Sequence, residues 1–281
     1  MVRPVPEIAY INGTFLPLEE AKVPVEDRGY QFADAVYEVV RTYHGRPFAL
    51  DEHLARLCHS LAAVQIPLPC PVDQLKTVIG EIIRRAGFAE TLVYLQISRG
   101  VAKRHRGFPE HQHPTLVLTA RELPDTRHLR EHGLTVITVP DNRWGRCDIK
   151  SVGLLANVLA YHAAHQAGAG DAIFVEADGT VNEATAANVF ILRHGELLTP
   201  PESYRILSGI TRHKILDAAR AAGIPALERR VTRADLLAAE EAFLSSTTAE
   251  VVPILAVDGH PIPAGPLARR IYEQFLKMFA G

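Results

Sequence analysis

Arg143-Trp-Gly-Arg-Cys-Asp-Ile-Lys150-Ser151 sets a lone lysine between a strand expected over Leu134 to Pro140 and an apolar helix expected over Val152 to Gln166. The chain has six lysines against 24 arginines, and Lys22, Lys76, Lys103, Lys214 and Lys277 lie in polar loops or on charged faces where solvation accounts for them. Lys150 belongs on neither face of its flanking elements. A lysine held partly out of water loses ammonium stabilisation, and its neutral amine can attack a carbonyl to form a Schiff base. An aldehyde cofactor is the matching electrophile. The bland alternative is a strand-end lysine with its head in water, and the rest of the chain must decide between the two.

Working outward, the 281 residues are enough for one large or two moderate domains. With 47% hydrophobic residues, 22% charged residues and a formal charge of −2, the composition is that of an ordinary globular protein. The arginines are dispersed rather than gathered into a basic stripe, which argues against nucleic acid as a partner. No run approaches the ~18 apolar residues a membrane helix requires, and the first residues lack a signal-peptide h-region. Cys58, Cys70 and Cys147 match neither a zinc site nor a disulfide framework, and the histidines form no HExxH, so no metal is expected and the cytoplasm is the expected home.

Ile8 to Leu16 reads as a hairpin turning at Asn12-Gly13, and Val36 to Leu50 turns at His44-Gly45-Arg46-Pro47. Asp51 is expected to cap a helix burying Leu54, Leu57, Leu61 and Val64. Leu75, Val78, Ile79, Ile82 and Ile83 give a second helix. Thr91 to Ser98 and Pro114 to Ala120 read as strands around the arginine-rich loop Arg99 to His113, which carries too much charge to be buried without a ligand. The domain boundary falls at residues 121–127, a polar break containing Pro124-Asp125, with one domain over 1–120 and another over 128–281. Beyond it, Asp171 to Glu176, Val189 to Leu192 and Ala242 to Ser246 read as strands, with a hairpin at Asp178-Gly179. Helices are expected over Ile210 to Ala222 and Ala268 to Phe279. There is no internal repeat, GxGxxG or Walker-type loop, which argues against a nucleotide-binding Rossmann domain.

A phosphate-bearing cofactor on Lys150 also needs a cradle. Ser208-Gly209-Ile210-Thr211-Arg212 opens a helix with small residues, where free N–H groups and the helix dipole favour an anion. Ser246-Thr247-Thr248 ends a strand in three hydroxyls, and Arg56, on the polar face of its helix, would add a full charge. Read alone, these are a capping turn, turn formers and a solvated arginine. An electron-sink pyridine further requires an acid at its nitrogen with no competing cation. Glu183, in the small-residue stretch Val181 to Asn188, is the candidate, and an ordinary loop glutamate is the alternative.

Together, Asp27-Arg-Gly-Tyr-Gln-Phe-Ala-Asp-Ala-Val-Tyr37, the Arg143 to Ser151 stretch, Asn182-Glu183-Ala-Thr-Ala-Ala-Asn-Val-Phe190, Ile206-Leu-Ser-Gly-Ile-Thr-Arg212 and Ser245-Ser-Thr-Thr248 resemble the fold-type IV pyridoxal-phosphate aminotransferases, most of all the D-amino-acid transaminases. The motifs follow the family's order over roughly residues 8 to 260. The resemblance implies an α/β (α+β) two-domain subunit, with a small N-terminal α/β domain and a larger C-terminal pseudo-barrel domain. It implies pyridoxal 5′-phosphate as cofactor, Lys150 as the Schiff-base and proton-transfer lysine, and Glu183 at the pyridine nitrogen. Arg56, Ile210, Thr211 and Thr247 would hold the phosphate, Leu207 would pack against the ring, and Gly209 and Thr248 would complete the cofactor-binding set. It implies a homodimer acting on an amino acid and a 2-oxo acid by ping-pong kinetics, with the active site at the domain boundary.

Substrate choice is expected at Tyr37 and in the Arg99 to His113 loop. The family's D-amino-acid enzymes carry an arginine and, two positions on, a histidine for the substrate carboxylate. Here Arg104 matches, Arg106 stands where histidine is expected, and His105 comes one place early. Two guanidiniums in one loop still favour an anion. Within the same fold, branched-chain L-amino-acid aminotransferases typically continue Gly-Gly-Asn after the lysine, whereas Lys150 is followed by Ser-Val-Gly-Leu-Leu-Ala. An (R)-selective amine transaminase, an aminodeoxychorismate lyase and a non-catalytic binding protein are the remaining alternatives.

Overall fold

The computed structural model describes residues 7–279. Its contacts divide the chain into two compact units, residues up to 124 with 149–153, and residues 125–148 with 154 onward. The segment carrying Lys150 thus groups with the first unit, whereas a single break at 121–127 assigns it to the second. The reason lies in the backbone: the Tyr37 N–H donates to the Lys150 carbonyl at 2.9 Å, Val36 bridges Ser151, and the Lys150 N–H donates to Ser60 Oγ at 3.2 Å. Local polarity at 121–127 says nothing of these pairings.

The first unit contains β1 (Ile8–Ile11), β2 (Thr14–Pro17), α1 (Arg28–Phe32), β3 (Ala35–Tyr43), β4 (Arg46–Pro47), α2 (Leu50–Ala63), α3 (Val72–Ala86), β5 (Thr91–Ser98) and β6 (Thr115–Glu122). The strands form an antiparallel sheet in the order β2-β1-β6-β5-β3-β4. Asn12 and Gly13 both have positive φ, as a two-residue hairpin turn requires. The apolar faces of α2 (Leu54, Leu57, Leu61) and α3 (Leu75, Ile79, Ile82) pack on Val36, Val40, Val93, Leu95 and Leu118 of the sheet. Each such side chain, fully buried, contributes roughly 1.5–3 kcal/mol. Asp51 is not the cap of α2: Ala49 holds that position at φ 50° without a side-chain bond, and Asp51 lies one residue into the first turn, paired with Lys76 at 2.6 Å.

The second unit contains α4 (Arg127–His132), β7 (Leu134–Pro140), α5 (Leu155–Gln166), β8 (Asp171–Val175), β9 (Val181–Ala184), β10 (Asn188–Arg193), β11 (Glu196–Thr199), α6 (Ile210–Ala221), β12 (Ala226–Glu228), α7 (Arg233–Leu237), β13 (Glu241–Ser246), β14 (Glu250–Val257), β15 (His260–Pro261) and α8 (Pro266–Leu276). Strands β10-β13-β14-β7-β8-β9 follow one another, and β9 returns to β10 through the pair Asn188–Glu183, closing a ring. This is the barrel-like domain of the fold. Val136, Ile173, Val189, Ile191, Leu244 and Ile254 from its strands share one cluster. Helix α5 starts at Leu155 rather than Val152, because Ser151 is still in strand-like pairing and Val152 donates its N–H to the Ala35 carbonyl.

Candidate active site

In the first unit, the alternation of β3 turns Val36, Glu38 and Val40 inward and leaves Tyr37 half-buried on the other face. Lys150 Nζ lies 4.2 Å from the Tyr37 ring centroid, within cation–π range. The ring of Tyr37 in turn stacks on Tyr94 at 5.5 Å. Burial, with Tyr37 adding to it, pushes the Tyr94 phenol up to about 12. The lysine and the tyrosine singled out from the sequence are therefore neighbours.

Arg56 is not a solvated arginine. Its Nε and Nη2 donate to the two oxygens of Glu38 at 2.7 and 2.8 Å, and His53 Nδ1 lies 2.8 Å from Glu38 Oε2. The side chain of Arg56 is 9% exposed, and those of Glu38 and His53 are each 1% exposed. Burial alone would raise the Glu38 pKa, but the hydrogen bonds and charge of Arg56, helped by His53 and the charge of Lys150, bring it down to about 2. Burial lowers the His53 pKa, against the pull of Glu38. The arginine is thus aimed by a buried carboxylate one residue from Tyr37. The sequence signal for Glu38 was available: a charged residue on the inward-facing phase of an alternating strand.

Arg104, His105 and Arg106 lie exposed in the loop after β5. Arg104 Nη1 donates to the Gln31 carbonyl at 3.1 Å, and the guanidinium rests over the Phe32 ring at 4.5 Å. The expectation that this loop is too charged for burial without a ligand does not hold for its first residue. Arg99 is 2% exposed and is neutralised inside the protein by a bidentate pair with Asp34 at 2.8 and 2.9 Å.

In the second unit, Glu183 and Ser245 are both strand partners of Asn188, so the three side chains project from one face of the sheet. Glu183 Oε2 accepts the Leu207 N–H at 3.0 Å and Asn188 Nδ2 at 3.3 Å, and Asn188 also donates to the Leu207 carbonyl at 3.0 Å. Gly209 packs so closely here that a Cβ would stand 2.0 Å from Asn188 Oδ1. Leu207, Gly209 and the buried Ile210 and Thr211 that open α6 therefore assemble beside Glu183. Thr247 and Thr248, both half-buried, directly follow Ser246, the last residue of β13.

One sequence expectation fails at Glu183. The acid was to have no competing cation, yet Arg143 Nη1 donates to Glu183 Oε1 at 2.5 Å. A carboxylate this buried is strongly unfavourable without a counter-charge, and Arg143 supplies it. Arg143 is itself fixed by Asp141, by the Arg205 carbonyl at 2.8 Å and by the Phe174 ring at 4.3 Å. Burial opposes the Arg143 charge, but Asp141 and Glu183 outweigh it and raise its pKa. Burial likewise opposes ionisation of Asp141, and the guanidinium holds that carboxyl below its usual range. Asn188 and Arg143 both lie inside the motifs quoted above, but only the fold reveals them as partners of Glu183.

Residues 35–257 match the family model for amino-transferase class IV. The chain belongs to this family. It is 39% identical to a D-alanine aminotransferase of Bacillus licheniformis, over 92% of this chain and 93% of the relative. Among solved structures it resembles the branched-chain amino acid aminotransferase of Escherichia coli at 26% identity, with a TM-score of 0.90 over 98% and 95% of the two chains. It also resembles a second branched-chain amino acid aminotransferase, solved in complex with N-(5′-phosphopyridoxyl)-L-glutamate, at 29% identity, with a TM-score of 0.88 over 97% and 93%.

The chain is a pyridoxal-phosphate-dependent aminotransferase, and its residues fit that cofactor. Helix α6 begins at Gly209 without a side-chain cap, so its first N–H groups are open to an anion. Ser245 Oγ, on the face shared with Glu183, is buried and has no hydrogen-bond partner among the described residues. A buried hydroxyl left unpaired is costly unless a ligand completes it.

Proposed function

We propose that this enzyme transfers the amino group of a D-amino acid of the D-alanine or D-glutamate type to a 2-oxo acid. The observation that carries the reading is the near full-length identity to proteins named D-alanine aminotransferase, 39% over 93% of the Bacillus licheniformis relative. When bound, pyridoxal phosphate supplies an aldehyde that takes up the amino group and a ring that withdraws electrons from the substrate Cα. Lys150 anchors the aldehyde and, once released, carries the proton removed from Cα. Glu183, braced by Arg143, Asn188 and the Leu207 N–H, would pair with the ring nitrogen. Its fixed negative charge costs no reorganisation when charge develops.

Arg56, aimed by Glu38, would hold the phosphate from the first unit, Ile210, Thr211 and Thr247 would hold it from the second with Gly209 and Thr248 beside them, and Leu207 would pack against the ring. Tyr37, Arg104 and Arg106, with His105 between the arginines, bind the substrate carboxylate. Two guanidiniums replace the arginine and histidine of the family's D-amino-acid enzymes. The active subunit is one half of a homodimer. The exposed apolar side chains of α5 (Leu155 71%, Val158 59%, Leu159 58%) support this assembly. Among the described residues no helix is long and apolar enough to cross a membrane. The three free cysteines agree with a cytoplasmic home.

The test is an anaerobic absorbance titration of the purified holoenzyme with D-alanine, L-leucine and (R)-1-phenylethylamine separately, without an oxo acid. Conversion of the cofactor to its amine form by D-alanine alone is the expected result. Preferential conversion by L-leucine favours the branched-chain reading suggested by the solved neighbours. Conversion by the amine means Arg106 has redirected the pocket. A purified protein without the cofactor's visible band points to lost catalysis.

A further inference from the structure

The exposed loop that carries Arg104, His105 and Arg106 is fastened to the interior at its feet and again in its middle. At the feet, the Arg28 N–H donates to the Gly100 carbonyl at 2.9 Å and the Ala102 N–H to the Glu26 carbonyl at 3.2 Å. Gly100 also packs so tightly on the loop's far end that a Cβ would sit 1.9 Å from the His113 carbonyl. Arg99 joins both ends to the core. Besides Asp34 it reaches the Gln65 and Val64 carbonyls and Gln112 Oε1, at 2.7 to 2.8 Å.

In the middle, where Arg104 bonds the Gln31 carbonyl and the Phe108 ring centroid lies 3.7 Å from the Arg99 guanidinium, the backbone itself is gripped by Arg28. Arg28 is 3% exposed, and its Nε donates to Asp34 Oδ2 at 2.8 Å. Its Nη1 crosses to the His105 carbonyl and donates to it at 2.6 Å. That carbonyl belongs to the peptide joining His105 to Arg106, and Arg104 lies on its other side. The Phe32 ring has Arg28 4.9 Å and Arg104 4.5 Å from its centroid, so α1 is a shared platform for both guanidiniums. Asp34 already receives a bidentate pair from Arg99, so the anchoring of the loop's feet does not depend on a second buried cation.

We infer that Arg28 is a positioning residue for substrate binding: by clamping the His105 carbonyl it presets the loop so that Arg104 and Arg106 meet a carboxylate without rearrangement. This rests on the proposed role of the two loop arginines. A preset receptor lowers the ordering cost of binding. Loss of the clamp therefore raises KM for amino and oxo acids and leaves the steps at Lys150 untouched.

The experiment compares wild type with Arg28→Gln and Arg28→Lys as holoenzymes, with cofactor loading checked by absorbance. Lysine keeps the charge but cannot span Asp34 and His105 together. Kinetics are measured with whichever amino acid the wild type uses best, so a wild type that ignores D-alanine refutes the substrate reading and leaves this inference to be decided on its own. The expected result is a rise in KM of about tenfold or more with kcat changed by less than about twofold, the pattern of lost uniform binding. A fall in kcat at constant KM, or no change in either, overturns the inference. Trypsin digestion of wild type and variants supplies a second readout: Lys103, Arg104 and Arg106 are exposed cleavage sites, and a clamped loop resists them. Rapid cutting of the wild type there overturns the inference, whereas cutting that appears only in the Arg28 variants supports it.

Discussion

Replacing Glu38 by glutamine removes the negative charge from a buried group that neutralises Arg56 beside His53. The carboxyl is 1% exposed and held at about 2 against an ordinary 4.5, so its ionised form is favoured in the folded protein by roughly 3 kcal/mol at ~1.4 kcal/mol per pKa unit. Removing one member of a buried pair leaves the other charged and uncompensated, which costs about 3–5 kcal/mol. Glutamine retains one acceptor for Arg56, so the lower end applies. We expect Glu38→Gln to lose about 3 kcal/mol at pH 7 in urea denaturation followed by far-UV circular dichroism.

The sign with pH follows from the direction of the shift. Because the folded pKa is depressed, the unfolded chain takes up the proton first, and the contribution is fully present above about 4.5 and lost as pH falls towards about 2. The gap between wild type and variant should therefore close over that interval. A loss below about 1 kcal/mol at pH 7, or a gap that stays constant from pH 5 to pH 2.5, refutes the buried-pair reasoning.

Three further outcomes are expected. Lys150→Ala should abolish the cofactor's lysine-bound absorption band and lower transamination by about 10²–10⁴ or more, the range for a lost acid–base group; turnover above a hundredth of wild type would count against its role. Glu183→Gln should reduce kcat by about a hundredfold while the cofactor stays bound, as measured by cofactor content after gel filtration beside steady-state rates. Gly209→Ala places a methyl 2.0 Å from Asn188 Oδ1, which is itself held beside Glu183 and Leu207, and should cost about 1–3 kcal/mol and raise the cofactor Kd, read by fluorescence titration.

The fold was legible where one periodicity held over a whole element. The face of α3 and the strands β5 and β7 follow directly from residue spacing, and the Asn12-Gly13 turn from its φ requirement. The strands β9, β11, β12 and β14 were not read, nor were the short helices α1, α4 and α7. Four-residue segments such as Val181–Ala184 carry too few alternations to register, and only their neighbours make them strands. At the site, Lys150 and Glu183 stood out because charge was misplaced in apolar or small-residue surroundings. Arg143, Asn188, Arg28 and His53 did not, because polar residues in loops and on helices look solvated until tertiary contacts bury them. The missed cation at Glu183 has the same origin: Arg143 is 40 residues away in sequence.

The ring of strands in the second unit closes where β9 meets β10, at the pair of Asn188 with Glu183 and the bond from the Ala184 N–H to the Ala187 carbonyl. The residue assigned to the chemistry thus also lies in the seam of the barrel, and local opening there would disable the enzyme. Anything that binds Glu183 only when the ring is shut must tighten the seam by mass action. Cofactor supply would then govern how long this barrel survives proteolysis, so that scarcity of the vitamin-derived group removes the idle protein as well as its activity.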